Sequence, residues 1–370
     1  MKILITGDFV ITHLFSSLQM SMEIKDLFSK SDYNIVNLEA PLTNNNSKIL
    51  KTGPHLKSDI KSTLETLKVL NVNLCTLANN HVLDYDEQGV IDTILFCDKN
   101  AIATVGAGKN KAAAAKVFYL ETDVGKLAII NIAENEWASA TDVSAGANGM
   151  NIIDDVKAIQ EAKMKSDFVF VIVHGGHEYY NLPSPRIQKQ YRFYVDMGAD
   201  VVVGHHTHCI SGMETYKDKP IYYSLGNFLF TKTSAYEDWY KGIVLEVEIN
   251  MKKDIKATPI FVKQSRTDFN LSLISGGELS EIKNRFENYS GIIQKDISVE
   301  WNAFVQQKNK LYSNSWTANV FIKNRYLSAL LIKLGVTFSS NKGTALLLNL
   351  MRCEAHADLS KEILIKKLTK

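Results

Sequence analysis

Short strand-like segments alternate with helix-like segments over the first 270 residues, and this alternation restricts the folds available to the chain. The strand-like segments are rich in β-branched residues and end at polar or glycine positions: KILIT, NIVNLE, VNLCTLA, FVFVIVH and ADVVVG. The helix-like segments repeat apolar residues at intervals of three and four positions: DIKSTLETLKVLN, DEQGVIDTILFCDKN and PRIQKQYRFYVDMG. Repeated strand and helix predict an α/β layered domain with largely parallel strands.

Strand-like segments nearer residue 270 follow one another with few helices between them. They are PIYYSLGNFLF, KGIVLEVEIN and ATPIFVKQS. Strands joined without a crossover helix pair in antiparallel fashion, so we expect mixed or antiparallel pairing in this part of the sheet system.

Composition places the chain among globular proteins. Hydrophobic residues make up 45%, and the charged residues nearly cancel to a formal +2, which gives no reason to expect a nucleic acid partner. No apolar run reaches the roughly 18–20 residues of a bilayer span, and the opening MKILITGDFV is typical of a strand, not of a signal peptide. The four cysteines form no CxxC pair, so we expect free thiols and a cytoplasmic location.

The chain changes character near residue 270, and we expect a domain of residues 1–265 followed by a basic, mainly helical extension of residues 266–370. Within Trp301–Lys370 there are 11 Lys and Arg residues against 3 Asp and Glu residues. The most apolar window, YLSALLIKLGVTF, is too short to cross a bilayer. One interpretation packs this window on the domain or on a second subunit. The other makes the extension a basic surface for an anionic membrane or a polyanionic substrate.

Six of the nine histidines fall in three short windows, each directly after a strand-like segment. The windows ANNH, HGGHE and GHHTH contain His81, His174, His177, His205, His206 and His208. Two carboxylates, Asp8 and Glu39, follow the first two strand-like segments. Loops beyond the carboxyl ends of parallel strands converge on one crevice, so we expect these side chains to meet. Imidazole and carboxylate ligands together predict a site for Zn, Mn, Fe or Ni.

Six motifs follow one another along the chain: TGDF, VNLEAPLT, LANNHVLDYDEQG, VHGGHEY, GADVVVGHHTH and IYYSLGNFLF. Their order resembles that of the CapA-type poly-γ-glutamate capsule biosynthesis proteins, a family of the calcineurin-like metallophosphoesterase superfamily. The resemblance covers roughly residues 1–250. It implies a four-layer αββα sandwich, in which two mixed sheets pack face to face, with a dinuclear metal centre between the loops.

Where residues match the superfamily's motifs, the resemblance implies a role for each. The implied metal ligands are Asp8, Glu39, Asn80, His174, His206 and His208. Glu39 takes the place of the carboxylate that bridges the two ions. His205 directly precedes His206, which leaves the register of the last two ligands open by one residue. His81 is implied to contact the scissile phosphate, and His81 or His177 are the candidates for protonating a leaving oxygen.

Residues next to these motifs carry weaker indications. Arg186, a few residues after HGGHE, is either a substrate-binding residue for a carboxylate or phosphate, or part of a plain loop-to-helix junction. Glu178 is a candidate for orienting a ligand histidine. Asp84 either caps the helix that follows or orients His81.

The first motif departs from the superfamily pattern Asp-x-His, because Phe9 and Val10 follow Asp8. The ion at Asp8 therefore lacks an imidazole ligand, and His13 is the nearest substitute in sequence. This departure predicts either an asymmetric centre, with one ion bound tightly and one loosely, or chemistry other than phosphoester hydrolysis.

The leading hypothesis is a metal-dependent hydrolase of calcineurin-like type, with two divalent ions (Mn, Zn or Fe), in capsule or surface-polymer biosynthesis. Its substrate is expected to be a phosphorylated or polyanionic small molecule or polymer, cleaved at a phosphoester or related bond. Two alternatives stay open. One is a non-hydrolytic metal-binding component of a poly-γ-glutamate or capsule synthesis assembly, and the other is a hydrolase of γ-glutamyl amide bonds. The C-terminal extension is a candidate for peripheral membrane contact or self-association.

Overall fold

The computed structural model describes residues 1–320, 326, 327, 330, 334 and 340–368. Contacts divide the chain into two compact units, of which the first comprises Met1–Ile49 with His55–Ile297. The second comprises Leu50–Pro54 with Ser298–Lys370. This division falls after residue 297, whereas the sequence predicts a boundary after residue 265.

Two large sheets and one short strand pair make up the β-structure of the first unit. In chain order the strands are β1 (Lys2–Val10), β2 (Tyr33–Leu38), β3 (Leu74–Thr76), β4 (Ala103–Val105), β5 (Ala107–Gly108), β6 (Phe118–Thr122), β7 (Gly125–Ala133), β8 (Gly146–Ala147), β9 (Phe168–His174), β10 (Val201–His205), β11 (Met213–Tyr216), β12 (Lys219–Tyr222), β13 (Asn227–Phe230), β14 (Lys241–Ile249), β15 (Ile255–Gln264) and β16 (Leu271–Leu273).

The described residues of the first unit form seven α-helices. They are α1 (Met22–Ser29), α2 (Ile60–Val69), α3 (Asp86–Lys99), α4 (Lys111–Ala114), α5 (Ile152–Lys165), α6 (Pro185–Asp196) and α7 (Gly276–Lys295). Five of these seven described helices, all but α3 and α7, begin at a polar N-cap residue whose side chain accepts a backbone hydrogen bond. The side chains of Asp59 and Ser184 accept hydrogen bonds from backbone N–H groups of α2 and α6. These bonds satisfy donors that have no partner within the helix, which determines where each helix begins.

The two sheets are both mixed. The first runs in the order β16-β15-β14-β1-β2-β3-β4, with β13 also paired to β1, and the second runs β11-β12-β10-β9-β7-β6. Pairing is parallel among β1, β2, β3 and β4, and again among β7, β9, β10 and β12. β13 pairs with β1 in parallel, whereas the pairs β1–β14, β14–β15 and β15–β16 are antiparallel, so the mixed pairing expected late in the chain is confirmed.

Alternation along the strands divides the core into layers. Ile3 and Ile5 of β1 belong to the apolar layer between the two sheets, where they join Phe170 and Val203 of the second sheet. The intervening Leu4 belongs to the layer beneath α1, α2 and α3. Outward-facing residues of the second sheet pack instead with α5 and α6. Helix, sheet, sheet and helix follow in order, so the predicted four-layer αββα sandwich is confirmed.

Close backbone approach joins β1 to β13 just before the first candidate ligand. A Cβ atom on Gly7 would lie 2.1 Å from the carbonyl oxygen of Gly226, and Gly226 itself adopts a φ of +66°. The N–H group of Asp8 donates to that same carbonyl at 2.9 Å. Glycine at position 7 therefore allows the strand end that carries Asp8 to lie against its neighbour.

The second unit is helical in the part that the structure describes, with α8 (Ser298–Val320), α9 (Asn341–Arg352) and α10 (Glu354–Leu368). Helix α10 packs against both α8 and α9, and the Tyr312 hydroxyl lies 2.6 Å from His356 Nδ1. Apart from residues 326, 327, 330 and 334, the apolar window YLSALLIKLGVTF lies outside the described residues. Among described helices none is both long enough and apolar enough to cross a membrane.

Candidate metal centre

Glu39 follows β2 and is the most unusual buried side chain of the first unit. Its exposed fraction is 0%, and neither carboxylate oxygen has a hydrogen-bond partner among the described residues. Because a buried carboxylate without partners costs several kcal/mol, its retention calls for a cation at that place. The sequence analysis assigned a bridging metal ligand to this position, and the orphaned oxygens fit that role.

Four donor atoms converge beside Glu39. Nε2 of His174 lies 3.1 Å from Asn80 Oδ1, 3.2 Å from His206 Nδ1 and 3.5 Å from Glu39 Oε1. Ligand atoms of a four-coordinate ion with bonds of about 2.1 Å are separated by about 3.4 Å. The first ligand group, Glu39, Asn80, His174 and His206, therefore has donor spacings that fit a divalent ion.

The second ligand group consists of Asp8, Glu39 and His208, whose donor atoms lie within 4.8 Å of one another. Asp8 Oδ2 lies 3.3 Å from His208 Nδ1, and Glu39 Oε1 lies 3.8 Å from His208 Nε2. Glu39 is thus common to both groups. His13 is exposed and packs against the Phe269 ring, so it supplies no second imidazole to this group here.

Each ligand group takes donors from both sheets. In the first sheet, Asp8 lies near the end of β1, and Glu39 and Asn80 follow β2 and β3. In the second sheet, His174 ends β9, and His206 and His208 follow β10. The parallel strands of both sheets end on the same side of the sandwich, which brings together residues separated by about 200 positions.

The electrostatics of the centre match metal ligation. Burial, with the neighbouring His206, holds the pKa of His174 well below its ordinary value, so its imidazole stays neutral and keeps a lone pair. Burial and the Asp8 charge raise the pKa of Glu39 well above its ordinary value. Burial lowers the pKa of His208, but the Glu39 and Asp8 carboxylates outweigh it and raise that pKa to about 10. In the absence of an ion, protons bound to Glu39 and His208 therefore offset the negative charge of the buried carboxylates.

His205 lies outside both ligand groups, although the sequence left it open as an alternative to His206. It is the last residue of β10, and its Nε2 donates to the carbonyl oxygen of Thr6 at 2.8 Å. His206 and His208 follow at φ values of +90° and +55°. Such backbone conformations cost on the order of 1–3 kcal/mol each, and they turn two nearby side chains of one short loop toward the same place.

His81 lies in the loop after β3, beside the first ligand group, and is held by Asp84. His81 Nδ1 and Asp84 Oδ2 are 2.6 Å apart, and the same oxygen accepts the Leu56 N–H at 2.7 Å. Both side chains are buried. The N-cap residue of α3 is Tyr85, which makes no capping hydrogen bond with its side chain. The helix-capping interpretation of Asp84 is therefore wrong, and the structure supports the interpretation that Asp84 orients His81.

Arg186 and His177 lie around a second buried carboxylate, Glu134. The Arg186 guanidinium pairs with Glu134 Oε1 and donates to Gln190 Oε1 at 3.0 Å. Burial raises the pKa of Glu134, but the charge of Arg186 and the N–H of Gly176 outweigh it and lower that pKa. His177 is buried, and its positive charge also lowers the pKa of Glu134. A substrate anion would have to share Arg186 with Glu134.

Polar side chains that the sequence analysis missed follow β7 in the segment AENE. Glu136 Oε1 lies 3.4 Å from Asn80 Nδ2 and 3.6 Å from His206 Nε2, so it contacts two residues of the first ligand group. The available signal was the same as for the other loops, a polar cluster directly after an apolar strand.

Aromatic rings pack against His208. Trp239 and Phe230 pack on its ring at centroid distances of 4.8 and 5.5 Å. Tyr179 stacks on Tyr236 at 4.6 Å and adopts a φ of +63°, which is rare for a bulky side chain. Glu178, the candidate for orienting a ligand, is exposed beside Tyr179, and its charge acts on both Glu39 and His208.

Comparison with known proteins identifies the family of the chain. Residues 2–232 match the family described as bacterial capsule synthesis protein PGA_cap. The chain belongs to this family. Among curated PGA_cap relatives, "PGA biosynthesis protein CapA" of Bacillus subtilis (strain 168) is 34% identical over 214 residues, covering 56% of this chain and 55% of the relative. "Capsule biosynthesis protein CapA" of Bacillus anthracis is 32% identical over 227 residues, covering 57% and 55%.

The PGA_cap chain thus spans about half the length of the curated relatives it matches. Among solved structures, a putative 5'-nucleotidase from Staphylococcus aureus in complex with α-ketoglutarate superposes with a TM-score of 0.45 and 12% identity, covering 79% of this chain and 58% of that chain. The CapA-type family predicted from the motifs is confirmed by the family match.

Proposed function

We propose that this PGA_cap protein is a metal-dependent hydrolase that cleaves a phosphoester or related bond in a substrate of capsule or polyglutamate assembly. The observation that carries the proposal is the arrangement of two ligand groups around Glu39, whose buried oxygens have no partner among the described residues. The names of the Bacillus relatives, which refer to capsule and PGA biosynthesis, support the class of substrate.

Divalent ions held by the two ligand groups would act as Lewis acids, lowering the pKa of the attacking water molecule and stabilising negative charge on the leaving oxygen. The residues of the chain supply the rest. Glu39 places one negative charge where two positive ions would repel each other. Asn37 donates to Asp8 Oδ1 at 2.7 Å and so fixes the direction of the second carboxylate.

His81 is the proposed proton donor to the leaving oxygen. Asp84 accepts from His81 Nδ1, which determines the tautomer and makes Nε2 the atom that exchanges a proton with the substrate. Because Asp84 is buried and also bound to the Leu56 N–H, the imidazole is held in one orientation before substrate arrives. We keep His177 as the alternative donor, and Arg186 as the proposed contact for a substrate anion.

A non-hydrolytic role in an assembly is the second candidate, and one observation favours it. The group at Asp8 contains a single imidazole, His208, and three protein ligands, whereas the first group contains four. If this group held no ion, the centre would lack the second of the two ions that the hydrolytic mechanism uses. Hydrolysis of γ-glutamyl amide bonds uses the same ligand groups and is distinguished by assay alone.

Metal content and turnover test these proposals together. Wild type, His206→Ala and His205→Gln are purified without tags and analysed for bound metal by mass spectrometry. We expect near-stoichiometric metal in wild type and His205→Gln, and its loss in His206→Ala. Phosphomonoesters, phosphodiesters and γ-glutamyl oligomers are then offered with Mn²⁺ or Zn²⁺. Metal binding without hydrolysis of any of these would favour the assembly role, and unchanged metal in His206→Ala would refute the ligand assignment.

A further inference from the structure

One carboxylate contacts two members of the first ligand group. Glu136 follows β7, its side chain is 13% exposed, and its Oε1 contacts both Asn80 and His206. Since these two residues come from loops after different strands, Glu136 is placed where it can fix both at once.

The direction of the His206 ring shows what this contact does. Nδ1 faces His174 Nε2 at 3.2 Å, on the side where the donor atoms converge, and Nε2 faces Glu136 Oε1 at 3.6 Å. A ring nitrogen that binds a cation has no hydrogen, so the hydrogen of the neutral imidazole belongs on Nε2. A carboxylate opposite Nε2 favours that tautomer because it only accepts hydrogen bonds.

Glu136 also determines the orientation of the Asn80 amide. Its Oδ1 lies 3.1 Å from His174 Nε2, and its Nδ2 donates to Glu136 Oε1 at 3.4 Å. Rotating the amide by half a turn would place its oxygen against the carboxylate, and the two acceptors would repel each other. Glu136 therefore keeps the oxygen of Asn80, which is the better ligand for a hard divalent ion, turned toward the site.

The loop that carries Glu136 is itself held by hydrogen bonds. The Glu136 N–H donates to the Glu134 carbonyl oxygen at 2.9 Å, and Asn135 Nδ2 donates to the Met150 carbonyl oxygen at 2.7 Å. Ser139 in turn donates to Asn135 Oδ1 at 2.9 Å. The carboxylate is thus presented by a fixed backbone, as a residue that orients ligands needs to be.

We infer that Glu136 is a positioning residue of the metal centre, which orients His206 and Asn80 for one divalent ion and adds a negative charge behind them. The inference rests on the proposed metal centre. Outer residues of this kind change metal affinity about 10–100-fold when they are removed.

Metal affinity is the first measurement. Mn²⁺ and Zn²⁺ are titrated by calorimetry into metal-free wild type, Glu136→Ala, Glu136→Gln and Asp142→Asn. Asp142 is an exposed carboxylate of the same loop, so its variant removes an equal charge without touching a ligand. We expect Glu136→Ala to weaken one binding step about 10–100-fold. Glu136→Gln should fall between it and wild type, because its amide oxygen still accepts the hydrogen bond from Asn80 but places no charge opposite His206 Nε2, and Asp142→Asn should match wild type.

The imidazole tautomer is the second measurement, and a purely structural role would not change it. Long-range ¹H–¹⁵N spectra of ¹⁵N-histidine protein in the metal-free form report which ring nitrogen of His206 carries the hydrogen. The Nε2–H form should dominate in wild type and give way to a mixture in Glu136→Ala, with circular dichroism unchanged.

The outcomes separate the two proposals. If wild type binds neither metal, the proposed metal centre fails. If wild type binds but Glu136→Ala binds equally well with the same His206 tautomer, the role of Glu136 is refuted. Equal losses in Glu136→Gln and Glu136→Ala, with no change in tautomer, would show a direct ligand or a pure charge effect and would also overturn it.

Discussion

Replacing Glu39 by Gln should make the metal-free protein more stable and the metal-loaded protein less so. Burial and Asp8 raise the pKa of Glu39 well above its ordinary value of 4.5, so the folded protein keeps this carboxyl protonated at pH values where the unfolded chain loses the proton. Gln has the same shape and no ionisation, so the variant avoids that cost and also loses the anion shared by both ligand groups.

The size of the effect follows from linkage. One pKa unit corresponds to 1.36 kcal/mol, so each unit by which burial and Asp8 raise the pKa of Glu39 destabilises folded wild type by that amount once the pH exceeds the raised pKa. For a unit of about 290 residues, with an unfolding entropy of about 0.6 kcal/mol per degree, each pKa unit is about 2 °C in Tm. A metal at 100 times its Kd adds about 2.7 kcal/mol, or about 4 °C, to wild type alone.

The raised pKa of Glu39 also determines how the stability difference between wild type and Glu39→Gln changes with pH. Below pH 4.5 the carboxyl is protonated in both states, so the free energies of unfolding of wild type and Glu39→Gln should agree. As pH rises, wild type loses stability relative to the variant until the pH reaches the raised pKa of Glu39. The difference therefore grows with pH and then becomes constant.

Calorimetric melting of protein dialysed against chelator, at pH values from 4.5 to 8, measures this difference, and a repeat with excess Mn²⁺ or Zn²⁺ measures the loss of the metal effect. Glu281→Gln on the exposed side of α7 serves as control and should change Tm by about 1 °C or less. The reasoning is refuted if metal-free Glu39→Gln is no more stable than wild type at pH 7, or if it keeps the metal-induced rise in Tm.

Three further predictions concern other parts of the centre. Asp84→Asn removes the carboxylate that holds His81 Nδ1–H, so kcat should fall about 10–100-fold with KM nearly unchanged, as steady-state kinetics on the identified substrate will show. Gly7→Ala places a Cβ atom 2.1 Å from the Gly226 carbonyl oxygen and should cost about 1–3 kcal/mol in urea unfolding. With the pKa of His208 raised to about 10, metal must displace its proton at neutral pH, so affinity should rise with pH. Calorimetry in buffers of different ionisation enthalpy should then show proton release.

The fold and the convergence of most candidate ligands could be predicted because they depend on local pattern and on one topological rule. Asp8 lies near the end of β1, Glu39 follows β2 and His174 ends β9, and the apolar pattern of each strand is visible in the sequence. Parallel strands bring such ends together. The four-layer arrangement was implied by the resemblance to the family, and the alternation along the strands accounts for it.

The histidine register could not be predicted, because it depends on where β10 ends. His205 completes the strand and turns to the Thr6 carbonyl oxygen, and a residue at φ +90° then breaks the alternation of side chains. Glu136 was missed for a related reason, since GKLAIINIA was not identified as a strand and carboxylates in loops are common.

The position of the domain boundary is not determined by the charge composition of the chain. The charge balance changes near residue 270, yet Ile282 and Phe286 of α7 are buried with residues of the second half of the first unit, and the rings of Phe286 and Phe261 lie 5.6 Å apart. A helix of polar average composition joins a domain through two or three such side chains, which composition does not reveal.

Because both ligand groups span both sheets, neither can be completed until most of the first unit has been translated. At about 5–20 residues per second, a ribosome adds His208 about 10–40 s after Asp8, and the first ligand group is complete only at His206 and the second only at His208. A nascent chain that ends before β9 contains Asp8, Glu39 and Asn80 but none of His174, His206 and His208. Metal uptake by the proposed centre would therefore require a chain long enough for strands of both sheets to have docked.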